Sequence, residues 1–266
     1  MRLETIRLTE EEGGATLSAY IAQPMSNYTR KAMLVIPGGG YRQITEMEAE
    51  AIAQAFLPYG YNSFVLRYTV GRQKTFPAQL IEVARAIKQI KDHAEEYGID
   101  PEQLFAVGFS AGGHLCASAG ILWKLPALYQ AVEMPYGYNK PRGIILIYPV
   151  ITPRGGHMGS FQNLWCCDEP TEEQLEQVSL DRYVDGDSVP AFIVHSPHDA
   201  TVPVENSLLL ASAYSRASVS YEMHIFPNVR HASGLGNKIT AHGRADRINA
   251  AYAEWVRMAV AWAEKL

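Results

Sequence analysis

Cysteines are scarce in this chain, and long apolar runs are absent. The 266 residues include only Cys116 and the adjacent Cys166 and Cys167, an odd set that does not indicate a disulfide framework. We therefore expect free thiols and a cytoplasmic location. No apolar run approaches the roughly 20 residues that span a bilayer, so no membrane partner is expected.

A marked excess of charge is also missing. The chain has 23 Lys and Arg against 28 Asp and Glu, which gives a formal net charge of −5 without any basic patch. Nucleic acid is therefore not expected as a partner. The first 21 residues alternate charged and apolar side chains, which predicts strands and does not match a secretory signal. What remains is a globular protein in which 47% of the residues are hydrophobic.

Apolar runs alternate with segments of helical period along the whole chain. Strands are predicted at 16–21, as an antiparallel edge strand, and at 32–36, 63–66, 104–107, 143–148, 191–195 and 219–226. Helices are predicted from a Thr45–Glu48 capping box to about 57, and at 77–97, 203–217 and 244–265, with a turn at 100–102. This alternation predicts one α/β domain over 1–266, with a mostly parallel sheet and helices on both faces.

Two stretches interrupt the alternation, near 123–142 and 152–189. Both are rich in proline or glycine. We expect them to be small cap insertions over a ligand pocket, although ordinary surface insertions would produce the same pattern.

The segment Gly108 to Gly112 has the pattern G-x-S-x-G. It lies between the apolar run 104–107 and the small residues 113–118, which is the strand, turn and helix context of a nucleophilic serine. Flanking glycines let the strand and helix approach closely, and the helix N-terminus favours a developing anion. Ser110 is therefore the predicted nucleophile; the alternative is a strand-to-helix loop without chemistry.

A serine hydroxyl needs a base to remove its proton. His231 lies in a turn-rich loop after the last predicted strand, and Asp199 follows the strand before it. Ligands of parallel sheets bind at the carboxyl ends of the strands, where these residues and Ser110 fall. We predict that His231 is the base and that Asp199 orients it.

Other residues compete for these roles. His195 and His198 beside Asp199 could suggest a metal site, but no further ligand cluster accompanies them, so no metal is expected. Asp185 and Asp187 could take the place of Asp199 as the orienting acid, but they precede a predicted strand instead of following one. His114 is predicted to pack under the serine turn, and His157, in a cap loop, to contact substrate.

Three glycines, 38–40, follow the strand at 32–36. They lack the Gly-Lys-Ser/Thr ending of a phosphate-binding loop and the glycine spacing of a dinucleotide site, so no cofactor is expected. An oxyanion hole fits better, formed by the backbone N–H groups of Gly39, Gly40 and Ala111.

The segments 37–41 and 108–115, with Asp199 and His231, resemble the α/β-hydrolase esterase/lipase superfamily. The branch of highest similarity is that of bacterial acetylesterases related to acetyl-xylan esterases. The resemblance implies the same catalytic and oxyanion residues. Segment 160–164 is similar to a cap loop of that branch, which implies that Ser160 contacts substrate, as we expect of Tyr41 also. Pro37 stands where hormone-sensitive-lipase-like relatives carry histidine.

These features together predict a serine carboxylesterase that needs no cofactor. Its expected substrates are small acyl esters, above all acetyl esters of sugars or xylo-oligosaccharides. An amide hydrolase of the arylformamidase type and an inactive binding protein with the same fold are the alternatives. The acyl length, the alcohol and the oligomeric state stay open, a homo-oligomer included.

Overall fold

A computed structural model describes residues 1–11, 13–25 and 27–266. In these ranges eight strands form one sheet in the order β1-β2-β4-β3-β5-β6-β7-β8. The strands are β1 Arg2–Arg7, β2 Thr16–Ile21, β3 Arg30–Ile36, β4 Tyr61–Arg67, β5 Ile99–Phe109, β6 Gly143–Ile147, β7 Ala191–His195 and β8 Tyr221–Ile225. The pairs β1–β2 and β2–β4 are antiparallel, and every other neighbouring pair is parallel.

The helices lie between the strands. They are α1 Glu50–Phe56, α2 Ala78–Asp92, α3 Ala94–Tyr97, α4 Ser110–Ile121, α5 Pro126–Ala131, α6 Met158–Leu164, α7 Glu172–Gln177, α8 Glu205–Ala217, α9 Lys238–Ala241, α10 Ala250–Ala253 and α11 Trp255–Ala263. Short 3₁₀ turns occur at Glu46–Glu48, Leu57–Tyr59, Pro153–Gly155, Leu180–Arg182 and Ala245–Arg247. No helix in the described ranges has the length and apolarity to cross a bilayer.

The sheet separates two apolar cores, because successive side chains of a strand point to opposite faces. Leu34 of β3 belongs to one core, which also contains residues of α2, α4 and α8. Val35 belongs to the other core, which contains residues of α1 and α11. The predicted α/β fold, with a mostly parallel sheet covered on both faces, is confirmed.

Several predicted boundaries are wrong. Strand β2 lies between β1 and β4 and is not an edge strand. Residues 100–102 are part of β5 and not a turn. The Thr45 side chain makes no capping bond, and the α-helix begins only at Glu50. The closing helix is divided, because the Asn249 side chain caps a new helix by accepting a hydrogen bond from Tyr252 N.

The two predicted cap segments differ in position. Segment 123–142 follows α4, which begins at the carboxyl edge of the sheet and ends at the opposite edge. There Arg142 N donates to Leu104 O, near the start of the buried part of β5. The prediction that this segment covers the pocket is therefore wrong. In segment 152–189, the part around α6 lies at the carboxyl edge of the sheet. Asp185 and Asp187, in contrast, form ion pairs with Lys124, which follows the C-terminal end of α4.

Candidate active site

Ser110 stands at the turn where β5 passes directly into α4. Its φ of +53° lies in the left-handed region, which residues other than glycine rarely adopt. The flanking glycines permit the turn: a Cβ on Gly112 would lie 2.2 Å from Pro37 O, and one on Gly108 would lie 2.3 Å from Gly112 O. Only glycine fits at these two contacts, and the serine side chain is presented at the carboxyl edge of the sheet.

A continuous chain of hydrogen bonds joins the three predicted residues. His231 Nε2 lies 2.9 Å from Ser110 Oγ, and His231 Nδ1 lies 2.7 Å from Asp199 Oδ2. Asp199 follows β7, and His231 follows β8. The sheet therefore brings together side chains that are 121 and 32 positions apart in the sequence.

The surroundings of Asp199 set the tautomer of His231. Asp199 Oδ1 accepts hydrogen bonds from Thr201 N and Val202 N, both at 2.9 Å. Burial raises the pKa of Asp199, but the neighbouring His195 and His231 imidazoles outweigh burial and hold this pKa well below its usual range. The ionised carboxylate accepts the Nδ1–H of His231, so Nε2 is the acceptor that faces the serine hydroxyl.

The glycine loop after β3 lies beside Ser110. Gly39 and Gly40 have φ values of +124° and +65°, and the carbonyl of Gly40 accepts a hydrogen bond from Asn163 Nδ2 at 2.9 Å. Within the described part of the chain, neither the Gly39 nor the Gly40 N–H has an acceptor. The N–H of Ala111 lies in the first turn of α4, where helical N–H groups lack helical partners. Three backbone donors are thus available near the serine.

A cavity of about 320 Å³ opens at Ser110 and His231. Its lining comprises Gly39, Gly40, Arg42, Gln43, Thr45, Glu48, Ser110, His157, Gly159, Asn163, Thr201, His231 and Ala232. Every side chain in this set larger than alanine is polar or charged. These side chains bring hydrogen-bonding groups to the cavity, while much of its exposed wall is formed by their carbon atoms and by the backbone of the glycines.

The three side chains predicted to contact substrate differ in whether they reach the cavity. His157 lines the cavity. Tyr41 is buried, and its hydroxyl is bonded to His114 Nδ1 at 2.8 Å, so the prediction that Tyr41 contacts substrate is wrong. Ser160 is also buried outside the lining; its Oγ, 3.9 Å from where a Cβ on Gly40 would lie, has no partner in the described residues. Tyr41 instead connects the residue after Gly40 to His114 of α4.

The histidines that competed for a role have structural partners. His195 Nδ1 lies 2.7 Å from Ser207 Oγ and His195 Nε2 lies 3.0 Å from Val202 O. His198 Nδ1 accepts a hydrogen bond from Asn228 N at 3.1 Å. Across residues 1–11, 13–25 and 27–266, no three His, Cys, Asp or Glu side chains form a group that could hold a metal.

Sequence reasoning missed several residues of this site. Those in the cavity wall are Arg42, Gln43, Thr45, Glu48 and Thr201, whereas Asn163 belongs to the segment 160–164 that the resemblance had singled out. Glu48 did stand out in the sequence, but as a helix cap, and only the packing shows its carboxylate buried beside the glycine loop. Tyr148, whose ring centroid is 4.8 Å from that of His231, had no sequence signal at all.

The fold and the geometry of the site place the protein among the α/β hydrolases. A mostly parallel sheet carries a serine on a strand-to-helix turn, and a histidine and an aspartate follow later strands. Within this class, the chain belongs to the BD-FAE family, which it matches over residues 19–214.

Two curated relatives carry names that concern xylan. A protein of Butyrivibrio fibrisolvens named endo-1,4-beta-xylanase B is 36% identical over 212 residues, which cover 78% of this chain and 33% of that protein. An acetylxylan esterase of Xylanibacter ruminicola is 27% identical over 245 residues, 90% of this chain and 47% of the relative. The chain thus spans between a third and about half of these relatives' lengths.

Solved structures match over nearly the full chain. An acetyl ester-xyloside bifunctional hydrolase from Caldicellulosiruptor lactoaceticus superimposes with a TM-score of 0.82 at 30% identity, covering 98% of this chain and 96% of that one. A carboxylesterase from Lactobacillus plantarum gives a TM-score of 0.87 at 26% identity, with coverage of 100% and 98%.

Proposed function

We propose that this chain is a serine carboxylesterase that acts on short acyl esters through Ser110, His231 and Asp199. The observation that carries the proposal is the pair of hydrogen bonds, 2.9 Å and 2.7 Å, that joins the three side chains at the mouth of the cavity. A free serine hydroxyl is a weak nucleophile, and this arrangement supplies the base and the group that orients it.

The reaction follows from the direction of these bonds. His231 Nε2 takes the hydroxyl proton while Ser110 Oγ attacks the ester carbonyl carbon, and Asp199 stabilises the resulting imidazolium. The imidazolium then gives this proton to the departing alkoxide, which leaves an acyl-enzyme. Water, deprotonated by His231 in the same way, releases the carboxylic acid and restores Ser110.

The negative charge on the carbonyl oxygen needs donors in the transition state. We assign this role to the backbone N–H groups of Gly39, Gly40 and Ala111, which border Ser110. Loss of one such donor costs about 3 kcal/mol of barrier in a serine hydrolase.

The small size of the cavity and the hydrogen-bonding groups in its lining support a short acyl group and a hydroxyl-rich alcohol. A volume of about 320 Å³ lies at the small end of ligand cavities, which favours a short acyl group, and the polar side chains of the lining can bond sugar hydroxyls. Relatives named acetylxylan esterase and acetyl ester-xyloside hydrolase point in the same direction. We therefore propose acetylated sugars or xylo-oligosaccharides as substrates, with His157 near the bound ester.

The thiols support a reducing compartment. Cys116, Cys166 and Cys167 are all free, as expected for a protein of the cytoplasm. We propose this location on that ground alone.

Replacing the nucleophile tests the chemistry. Ser110→Ala is expected to lower kcat for p-nitrophenyl acetate by at least about 10⁴-fold, because the attacking atom is removed. Ser118→Ala is the matched control: Ser118 is buried on the same helix and donates to His114 O. A fluorophosphonate probe should label the wild type and the control but not Ser110→Ala. Full turnover by Ser110→Ala would disprove the proposal.

The substrate is tested by comparing esters of one alcohol. The ratio kcat/KM should fall from p-nitrophenyl acetate to the octanoate, and acetylated xylo-oligosaccharides should be deacetylated. Hydrolysis of N-formylkynurenine without deacetylation of sugars would instead identify an amide hydrolase. Absence of both labelling and turnover would indicate a binding protein.

A further inference from the structure

We propose that Glu48 is a positioning residue that holds the glycine loop and the His231 loop in place around Ser110. The inference rests on the proposed esterase function, since it concerns the two loops that this chemistry uses. Glu48 lies in the 3₁₀ turn after the glycine loop and is 1% exposed. Its two carboxylate oxygens have different partners. One oxygen bonds the glycine loop directly, and the other reaches the His231 loop through Tyr148.

The first oxygen holds the glycine loop. Glu48 Oε2 accepts a hydrogen bond from Gly38 N at 3.0 Å. A Cβ built on Gly38 would lie 2.7 Å from Glu48 Oε2 and 2.9 Å from Ser110 Cβ, so the carboxylate and the nucleophile flank the same glycine. Because Gly39 and Gly40 follow directly, displacement of Gly38 would also displace the assigned oxyanion donors.

The second oxygen holds the histidine loop through a tyrosine. Glu48 Oε1 accepts a hydrogen bond from Tyr148 Oη at 2.7 Å, and Tyr148 Oη in turn accepts one from Gly234 N at 3.1 Å. The Tyr148 ring lies against the His231 ring, with 4.8 Å between centroids. Gly234 is three positions after His231, so the tyrosine supports the base both by ring contact and through the backbone of its loop.

The rest of that loop is anchored at the same glycine. Gly234 O accepts hydrogen bonds from Tyr252 Oη at 3.1 Å and from Trp255 Nε1 at 3.0 Å. The loop therefore has one fixed side formed by α10 and α11. The Glu48–Tyr148 pair forms the other side, which faces the reacting groups.

The chemistry of a buried carboxylate explains why this position requires glutamate. Both of its partners are donors, and a carboxylate can accept from both at once. A glutamine offers one acceptor oxygen and an NH₂ group that cannot accept, so it cannot accept from both donors. With its oxygen on Gly38 N, its NH₂ group would face the Tyr148 hydroxyl, whose proton then loses this acceptor. Burying a carboxylate is costly unless it is hydrogen-bonded, and an apolar residue would fill the space at less cost if packing alone were needed.

Glu48→Gln is the direct test. We expect kcat for p-nitrophenyl acetate to fall about 10- to 100-fold with KM changed less than about threefold, because misplacement of about 1 Å costs roughly 10² in rate. The rate of fluorophosphonate labelling of Ser110 should fall in parallel. Tyr148→Phe should reproduce the loss, and the double variant should lose little more than the larger single effect, since both changes break one connection.

Glu82→Gln is the matched control. Glu82 is 2% exposed, and its carboxylate accepts hydrogen bonds from Thr69 N at 2.7 Å and Thr69 Oγ1 at 2.5 Å, but it does not line the cavity. It measures what the loss of a doubly bonded buried carboxylate does to stability alone. We expect Glu82→Gln to retain the wild-type kcat even where its Tm falls as far as that of Glu48→Gln.

Three results would overturn the role of Glu48: a folded Glu48→Gln variant with wild-type kcat, a change in KM alone, or a loss of kcat equal to that of Glu82→Gln. If Glu48→Gln does not fold, Tyr148→Phe decides, and a wild-type kcat for that variant is equally adverse. A wild type that neither hydrolyses esters nor reacts with the fluorophosphonate would refute the proposed esterase function instead.

Discussion

Asp199 shows how single atoms direct the chemistry. Its Oδ1 is occupied by Thr201 N and Val202 N, and only Oδ2 faces His231 Nδ1. The backbone thus determines which oxygen the imidazole meets. Any residue at position 199 that presents a donor in place of Oδ2 would favour the wrong tautomer of His231.

Asp199→Asn is expected to lower kcat about 10⁴-fold while leaving the fold intact. The amide oxygen can still accept from Thr201 N and Val202 N, so the NH₂ group then faces His231 Nδ1. The imidazole would respond by presenting N–H to the serine and could no longer act as a base. Steady-state kinetics with p-nitrophenyl acetate, beside a thermal melt, measures the effect.

Asp185→Asn is the control for this substitution. Asp185 forms an ion pair with Lys124, just after the C-terminal end of α4 and away from Ser110. The change should leave kcat within about twofold of the wild type, since surface ion pairs contribute little to stability. Activity in Asp199→Asn, or its loss in Asp185→Asn, would contradict the role given to Asp199.

The residues of the proposed triad could be found from the sequence because each lies three to five residues after a predicted strand of a parallel sheet. Such positions meet at one edge whatever the details of packing. Glu48 could not be found in this way. A glutamate three residues after a threonine equally fits a helix cap, and the choice depends on which side chains surround it in the folded chain.

Helix α6 contributes to the site by its connection to the glycine loop. Asn163 Nδ2 donates to Gly40 O, and Asn163 Oδ1 accepts from Arg72 Nε at 3.1 Å. One side chain therefore connects the helix to both the proposed oxyanion donors and the segment after β4. A short helix of seven residues depends on such tertiary contacts for its position.

Asn163→Ala is expected to lower kcat/KM for p-nitrophenyl acetate about tenfold, because the Gly40 carbonyl loses its partner and the loop gains freedom. One hydrogen bond of about 1.4 kcal/mol corresponds to that factor. Gln162→Ala is the control, since Gln162 lies on the same helix and donates to Asp168 O. Equal effects of the two variants would show that α6 does not support the loop through Asn163.

The two predicted cap segments show that composition identifies an insertion but not its position relative to the sheet. Composition marks both as insertions, but their position depends on the end of the sheet at which the preceding element stops. A segment after a strand starts at the carboxyl edge, whereas a segment after α4 starts at the opposite one. The segment 123–142 is therefore remote from Ser110, although its sequence resembles that of a cap.

Stability at the scale of the whole molecule should depend on the buried His114. Its Nε2 faces Val178 O at 3.0 Å and must donate, so its Nδ1 accepts from Tyr41 Oη. Burial lowers the pKa of His114 from its usual 6.5 to about 4. The folded state therefore binds fewer protons than the unfolded state between these values, and stability falls as the pH is lowered through this range.

The wild type should lose about 3 kcal/mol more unfolding free energy than His114→Gln between pH 6.5 and pH 4. All other groups titrate in both proteins, so the difference isolates His114. Urea denaturation at a series of pH values measures it. Parallel curves for the two proteins would show that His114 does not titrate differently on unfolding.

The sequence by itself determined the class of fold and the proposed nucleophile, base and acid. Hydrophobic periodicity and chain order are local properties, and parallel strands convert them into one shared edge. Only the tertiary structure decided that Glu48 and Tyr148 join the loops around Ser110, that Tyr41 is buried, and that Asn163 reaches Gly40. These contacts join residues far apart in sequence, and their existence depends on side-chain packing, which leaves no regular pattern along the chain.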